Sequence, residues 1–240
     1  MSRLVSPVHA KALSALETLV GHCAALVLDF DGVIVESVDI KCAAFVELFA
    51  DHPQHQAGAR QHFLQHAGIS RQIKIRWVYE HLLNQPLDDQ TLHDLCERFS
   101  ALVMGAVCEA PLVPGAAQVL ENAAAAGLSL SIASGTPQQE LERILERRGL
   151  AGHFQLALGS PMTKPEMLMV FASQQACAPQ QLLFVGDGES DLLAAREAGV
   201  PFIARRLQPE AWQQQADVVI DDLTTLARAI ADHRVPGGVT

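Results

Sequence analysis

The stretch Ala24–Ser37, AALVLDFDGVIVES, decides the fold. Its apolar run, Ala24 to Leu28, stops abruptly at two carboxylates, Asp29 and Asp31, followed at once by Gly32. A short run that is apolar at every position suits a strand buried on both faces, as in a parallel sheet. Ending that strand in acid and glycine puts charge at the rim of the sheet, where open α/β folds keep their sites. Carboxylates two residues apart can point the same way. Each then perturbs the other, and together they attract a divalent cation.

Outward from this strand, residues 110–230 alternate between short apolar runs and helical stretches. The runs are Leu128–Ala133, Phe154–Leu158, Leu182–Val185, Pro201–Ala204 and Val218–Ile220. Such alternation predicts an α/β fold, a Rossmann-like parallel sheet flanked by helices. Residues 39–108 carry no convincing strand; Phe45, Leu48, Phe49 and Leu92, Leu95, Phe99, Leu102 recur at helical spacing instead. The expected organisation is a core of residues 1–37 and 109–240 with an inserted all-helical cap, residues 38–108. Ala110-Pro111 and Pro114-Gly115 mark the return to the core. Residues 8–20 read as a short amphipathic helix leading into the first strand. Thr136-Pro137-Gln138-Gln139 predicts a helix start with Thr136 as the N-cap, and Gly149 its stop.

Composition narrows the function. At 240 residues, with 49% hydrophobic, the chain can build a sizeable core; a net charge of −10 argues against a nucleic-acid surface. The five cysteines form no CxxC pair and read as reduced. No basic and apolar leader opens the chain, and no apolar run reaches membrane length. The expectation is a cytoplasmic protein whose partner is a small molecule, with no nucleic-acid or membrane partner; oligomeric state stays open. Lysine is scarce: Lys11, Lys41, Lys74 and Lys164 are all there are. Any lysine near the carboxylates therefore stands out.

Four motifs fall at or just after strand ends: Asp29-Phe30-Asp31-Gly32-Val33, Ser134-Gly135-Thr136, Lys164-Pro165 and Gly186-Asp187-Gly188-Glu189-Ser190-Asp191. In a parallel sheet the strand C-termini share one edge, so these residues converge. Taken in this order, the motifs resemble the haloacid dehalogenase-like superfamily of phosphohydrolases, in the branch with a helical cap after the first motif (phosphoglycolate phosphatase and β-phosphoglucomutase-like). The resemblance covers nearly the whole chain from about residue 22. It implies a phosphoric monoester hydrolase acting on a small phosphorylated metabolite, a sugar phosphate or a phosphoglycolate-like ester. Asp29 would be the nucleophile, forming an aspartyl-phosphate, and Asp31 the general acid and base, holding a proton part of the time. Ser134 and Gly135 would hold phosphoryl oxygens, and Lys164 would neutralise charge between Asp29 and the phosphate. The implied cofactor is Mg²⁺, suited to hard oxygen ligands. Its site would be Asp29, Asp31 through its backbone carbonyl, Asp187 and Asp191.

The cap offers a second resemblance. Gly68-Ile69-Ser70-Arg71, followed by Lys74, looks like the substrate loop of β-phosphoglucomutase and its relatives, where the arginine reaches the part of the substrate that is not transferred. Arg71 could pair with a second phosphate or a carboxylate, and Lys74 could assist. The plainer alternative leaves Ser70 as a helix cap and Arg71 in water. Lys41 divides between the site rim and a solvated face. His62 and His66, one helical turn apart, read as an exposed polar helix face rather than a metal site. Trp77 and Tyr79 read as cap-core and rim residues. A phosphomutase is the first rival, lowered because Lys41 stands where that branch carries a histidine. A dehalogenase or phosphonate hydrolase would lack the acid that Asp31 supplies. A catalytically silent binding protein would not need every motif intact.

Overall fold

The computed structural model describes residues 7–232. Helix α1 (Pro7–His22) leads into strand β1 (Ala25–Leu28), whose residues are all buried. Four helices follow with no strand between them: α2 (Val38–Glu47), α3 (Gln56–Gln65), α4 (Arg71–Val78) and the long α5 (Asp89–Glu109). Then helices and strands alternate through α6 (Ala116–Ala126), β2 (Ser129–Pro137), α7 (Gln138–Arg147), β3 (Leu156–Ser160) and α8 (Lys164–Gln174). The chain finishes with β4 (Leu182–Gly186), α9 (Glu189–Ala198), β5 (Phe202–Arg205), β6 (Val218–Ile220) and α10 (Thr224–Asp232). None of these helices is long and apolar enough to cross a membrane.

The sheet runs β3-β2-β1-β4-β5-β6 with every pair parallel. The chain leaves β1 toward β2 and β3, then returns to place β4 on the other flank of β1. That reversal opens a crevice at the carboxyl ends of β1 and β4, the topological switch point of an open α/β sheet. The Asp29 and Asp187 motifs stand on its two sides. Each strand of the sequence reading is present, with ends displaced by a residue or two, except at β2.

Strand β2 does not stop where Thr136 was expected to cap a helix. It runs on to Pro137, and α7 opens at Gln138 without a side-chain cap. Thr136 is held extended because its hydroxyl is engaged across the sheet edge by Lys41 and Asp31. The stop is as expected, with Gly149 in the left-handed region at φ 67°.

Apolar side chains explain the helical block. Phe45, Phe49, Phe63 and Phe99 meet at ring-centroid distances of 5.2–6.4 Å, an aromatic cluster among α2, α3 and α5 that is continuous with the apolar core on one face of the sheet. Leu102 departs from the expected pattern; it is 41% exposed. Toward the sheet, Arg148 just after α7 donates to the carbonyls of Val107 and Cys108 at 2.8 Å each, satisfying the last turn of α5.

Candidate active site

The ladder of β1 continues one residue beyond the strand, with the Asp29 N–H donating to the Val185 carbonyl at 2.9 Å. The chain then turns sharply. Gly32 adopts φ 72°, and a Cβ there would lie 2.2 Å from Asp187 Oδ2. Only glycine permits both that conformation and that approach. Arg205, at the end of β5, braces the turn by donating to the Gly32 carbonyl at 2.9 Å and pairing with Glu36.

Around this turn the carboxylates are buried and divided between two lysines. Lys164, the first residue of α8, lies 2.8 Å from Asp29 Oδ2 and also donates to Asp191 Oδ1. Asp191 in turn accepts the Gly188 N–H at 3.0 Å through its other oxygen, which fixes its orientation at the start of α9. Lys41, on the first turn of α2, lies 2.5 Å from Asp31 Oδ2 and donates to the Thr136 hydroxyl at 2.8 Å. Ser37 and Thr136 donate to Asp31 at 2.6 and 3.0 Å.

These surroundings pull the two aspartates apart. Burial, reinforced by the Asp191 and Asp31 carboxylates and only partly offset by Lys164, pushes Asp29 up to about 7. Burial acts on Asp31 in the same direction, but the Lys41 charge and the hydrogen bonds from Lys41, Ser37 and Thr136 outweigh it, so its carboxyl is held below the ordinary value. A proton is expected on Asp31 part of the time; in this arrangement Lys41 and the two hydroxyls favour its ionised form. Burial and the neighbouring acids Asp29 and Asp191 raise Asp187 well above the usual range. Burial alone would lower Lys164, but Asp191 and Asp29 raise it overall and keep it charged.

Asp29, Asp187 and Asp191 each offer an oxygen within 4.8 Å of the others, and Asp187 Oδ2 is buried with no hydrogen-bond partner. Four carboxylates here face two ammonium groups, Lys41 and Lys164. The excess of acidic groups over ammonium groups, and the orphaned oxygen, fit a hard divalent cation, whose charge would favour their ionised forms.

The pocket over this cluster encloses about 550 Å³ of empty space, part of it open to solvent. Its floor is Asp29, Asp31, Asp187, Gly135 and Thr136; its roof includes Gly68, Ile69, Arg71, Lys74, Phe63 and Phe99. Floor and roof touch through the loop between α3 and α4. Gly68, at φ 82°, would place a Cβ 2.4 Å from Ser190 Oγ, and a Cβ on Gly135 would lie 2.7 Å from the Gly68 carbonyl. Ser190 donates to the Ala67 carbonyl at 2.5 Å.

The sequence-derived candidates thus fall into several groups. Asp29, Asp31, Asp187, Gly135, Lys41, Arg71 and Lys74 line the pocket, with Lys164 and Asp191 directly beside Asp29. Ser134 is fully buried, its oxygen accepting the Thr136 N–H at 3.1 Å, and it lines an adjoining groove. Lys41 is buried against Asp31, not on a solvated face. Arg71 is neither in water nor free: it pairs with Glu140 of α7 at 2.6 Å, donates to Ser100 at 2.5 Å, and lies over the Phe99 ring. The histidine helix is not an exposed polar face. His62 is buried, its ring stacked on Trp77 at 3.8 Å and 3°, with His66 at 4.1 Å. Burial, aided by His66 and Lys74, lowers His62 to about 4.

Residues missed in the sequence are Thr136, Ser37, Arg205 and Glu140. A signal existed for two of them: Thr136 adjoins the Ser134-Gly135 motif, and Arg205 ends a strand on the same sheet edge as Asp29. Glu140 lies on a helix face that only docking of α5 against α7 distinguishes.

Comparison with known proteins agrees with this architecture. The haloacid dehalogenase-like hydrolase family model matches residues 26–205. The phosphoglycolate phosphatase of Pseudomonas putida is 28% identical over 227 residues, covering 86% of this chain and 79% of its own. The crystal structure of a predicted phosphoglycolate phosphatase from Haemophilus somnus superposes with a TM-score of 0.70 at 20% identity, covering 86% of this chain and 97% of that one. A β-phosphoglucomutase from Clostridium difficile gives a TM-score of 0.71 at 15% identity, covering 88% and 98%. The two structures share the fold. The chain belongs to the haloacid dehalogenase-like hydrolase family.

Proposed function

We propose that this hydrolase releases phosphate from a small phosphorylated metabolite, with Asp29 as nucleophile and residues 38–108 acting as a cap over the core formed by 1–37 and 109–240. Family membership and the phosphoglycolate phosphatase relative make the chain a phosphoric monoester hydrolase. The observation that carries the assignment of roles is the division of the carboxylates: Lys164 serves Asp29, and Lys41 serves Asp31.

Asp29 attacks phosphorus while its Oδ2 stays on Lys164, giving an aspartyl-phosphate and an alkoxide that needs a proton. Asp31 serves the leaving oxygen. Because Asp31 is held ionised, the proton comes from its hydrogen-bonded pair with Lys41, and the carboxylate is then ready to activate water for hydrolysis of the intermediate. The Gly135 and Thr136 backbone, at the end of β2, faces the phosphoryl oxygens, and Ser134 shapes that turn. Asp29, Asp187, Asp191 and the Asp31 carbonyl would hold Mg²⁺, which would offset the phosphate charge and favour ionised Asp29.

The test is phosphate release from p-nitrophenyl phosphate with Mg²⁺. Asp29→Asn is expected to lower kcat by roughly four orders of magnitude or more while the melting transition persists. Wild-type protein without metal-dependent turnover on a phosphoester panel would refute the reading. Turnover undiminished in Asp29→Asn would remove Asp29 from its role.

A further inference from the structure

Three lysines have described side chains: Lys41 and Lys74 line the pocket, and Lys164 lies beside it on Asp29. Their surroundings differ in a way that bears on what the pocket accepts. Lys164 and Lys41 are paired with carboxylates, and Arg71, the remaining cation of the lining, is paired with Glu140 and Ser100. Glu140 is itself complete, because Ser100 donates to its second oxygen at 2.6 Å. Lys74 is 4% exposed and has no hydrogen-bond or ion-pair partner among the described residues. Its Nζ lies 3.8 Å from the centre of the Phe63 ring and faces the pocket. Burial, with the Lys41 charge nearby, pulls the amine down to about 7, and an arriving anion would favour its charged form.

We infer that Lys74, rather than Arg71, selects the substrate by pairing with a single negative charge on the leaving group, while Arg71 is a positioning residue that clasps the cap to the core. This inference rests on the phosphatase reading above. An aromatic ring face satisfies part of an ammonium's charge but none of its three N–H donors. The Nζ is open to the pocket, so its N–H donors meet water until an anionic acceptor arrives with the substrate and replaces it with a charge-assisted hydrogen bond. The side chains of the other walls, Val38, Ile69, Phe63 and Phe99, offer no hydrogen-bond partners. A leaving group rich in hydroxyls would therefore lose hydrogen bonds to water on entering. A compact leaving group with one anionic end loses none. The Arg71 charge is already matched by Glu140, so its remaining N–H groups add less to the recognition of an anion than Lys74 does.

The experiment compares two esters of nearly equal size, 2-phosphoglycolate and 2-hydroxyethyl phosphate, which differ in carrying a carboxylate or a hydroxyl at the end not transferred. Wild type is expected to favour the carboxylate by about 10- to 100-fold in kcat/KM, the worth of one charge-assisted hydrogen bond. In Lys74→Met that ratio falls to near one, and Lys74→Arg restores part of it. Arg71→Met, by contrast, raises KM for both esters together and leaves their ratio as in wild type. If neither ester turns over, the same ratio is read from their inhibition of p-nitrophenyl phosphate hydrolysis. A third probe, glucose 1,6-bisphosphate, places a second phosphoryl group at that end; binding stronger than that of phosphoglycolate would replace the monoanion by a dianion and overturn the inference. So would equal kcat/KM for the two esters in wild type, or a preference that survives Lys74→Met or vanishes in Arg71→Met. Each of these outcomes is distinct from failure of the phosphatase reading, which would abolish metal-dependent turnover of p-nitrophenyl phosphate as well.

Discussion

At the strand edge, two lysines serve the buried Asp29 and Asp191 and the partly exposed Asp31, while the buried Asp187 Oδ2 has no partner among the described residues. A few residues above, in the cap, the excess has the opposite sign: Arg71 is matched by Glu140, and Lys74 rests on an aromatic ring with no acceptor. The floor thus lacks positive charge and the roof lacks negative charge. A cation completes the first, and the substrate completes the second. The pocket is assembled as two half-satisfied networks whose missing members are its ligands.

The largest effect separating floor from roof is expected at the clasp. Burial alone would raise Glu140, but Arg71 and Ser100 hold its carboxyl below the ordinary 4.5. A depressed folded-state value contributes stability above the unfolded value and loses it as pH falls through the folded one. Arg71→Met should therefore destabilise by roughly 3–5 kcal/mol at neutral pH. The deficit should shrink at acid pH, where Glu140 protonates and no longer needs the arginine. Denaturant melts at both pH values check this, and an equal deficit at both would mean that the arginine acts by packing alone.

Next in size is the floor's own pairing. Removing the ammonium in Lys41→Met should lower kcat by about 100-fold. It should also move the acid limb of the pH profile upward, because Asp31 loses the charge that holds its carboxyl down. An acid limb that stays in place would detach Lys41 from Asp31.

Metal binding should come third. Mg²⁺ at about a hundred times its Kd should add roughly 2.7 kcal/mol of stability and raise Tm by several degrees. In Asp187→Asn that shift should be absent. A full shift in the variant would move the cation site away from the orphaned oxygen.

The smallest effect is at the seam between the two networks. Gly68→Ala must strain a backbone at φ 82° and displace Ser190 and Lys164, whose atoms lie 2.4 and 3.1 Å from the added carbon. About 1–2 kcal/mol of strain is expected, read as a severalfold higher KM. An unchanged KM would mean that the loop need not seat against the core during turnover.

The core floor was largely legible in the sequence because strand ends announce themselves. An apolar run buried on both faces can stop only at its edge, and chemistry-bearing residues placed just after it must converge with those of neighbouring strands. That reasoning located Asp29, Asp31, Lys164 and Asp187 without knowledge of any contact. It missed Thr136, because a threonine before proline and glutamine reads equally well as a helix cap, and a cap is a purely local assignment. It also misread His62, which lies on a helix whose polar face is packed rather than solvated, and left Lys41 open between site rim and solvated face.

The sequence by itself determined the order of strands and helices, the placement of a helical block after β1, and which acids sit at the sheet edge. Periodicity and strand ends are local properties of the chain. Only the tertiary structure decided which aspartate is held ionised, that Arg71 is neutralised by a glutamate 69 residues away, and that Lys74 is left without a partner. The sign and availability of a buried charge depend on every group packed around it, and those groups arrive from distant parts of the chain.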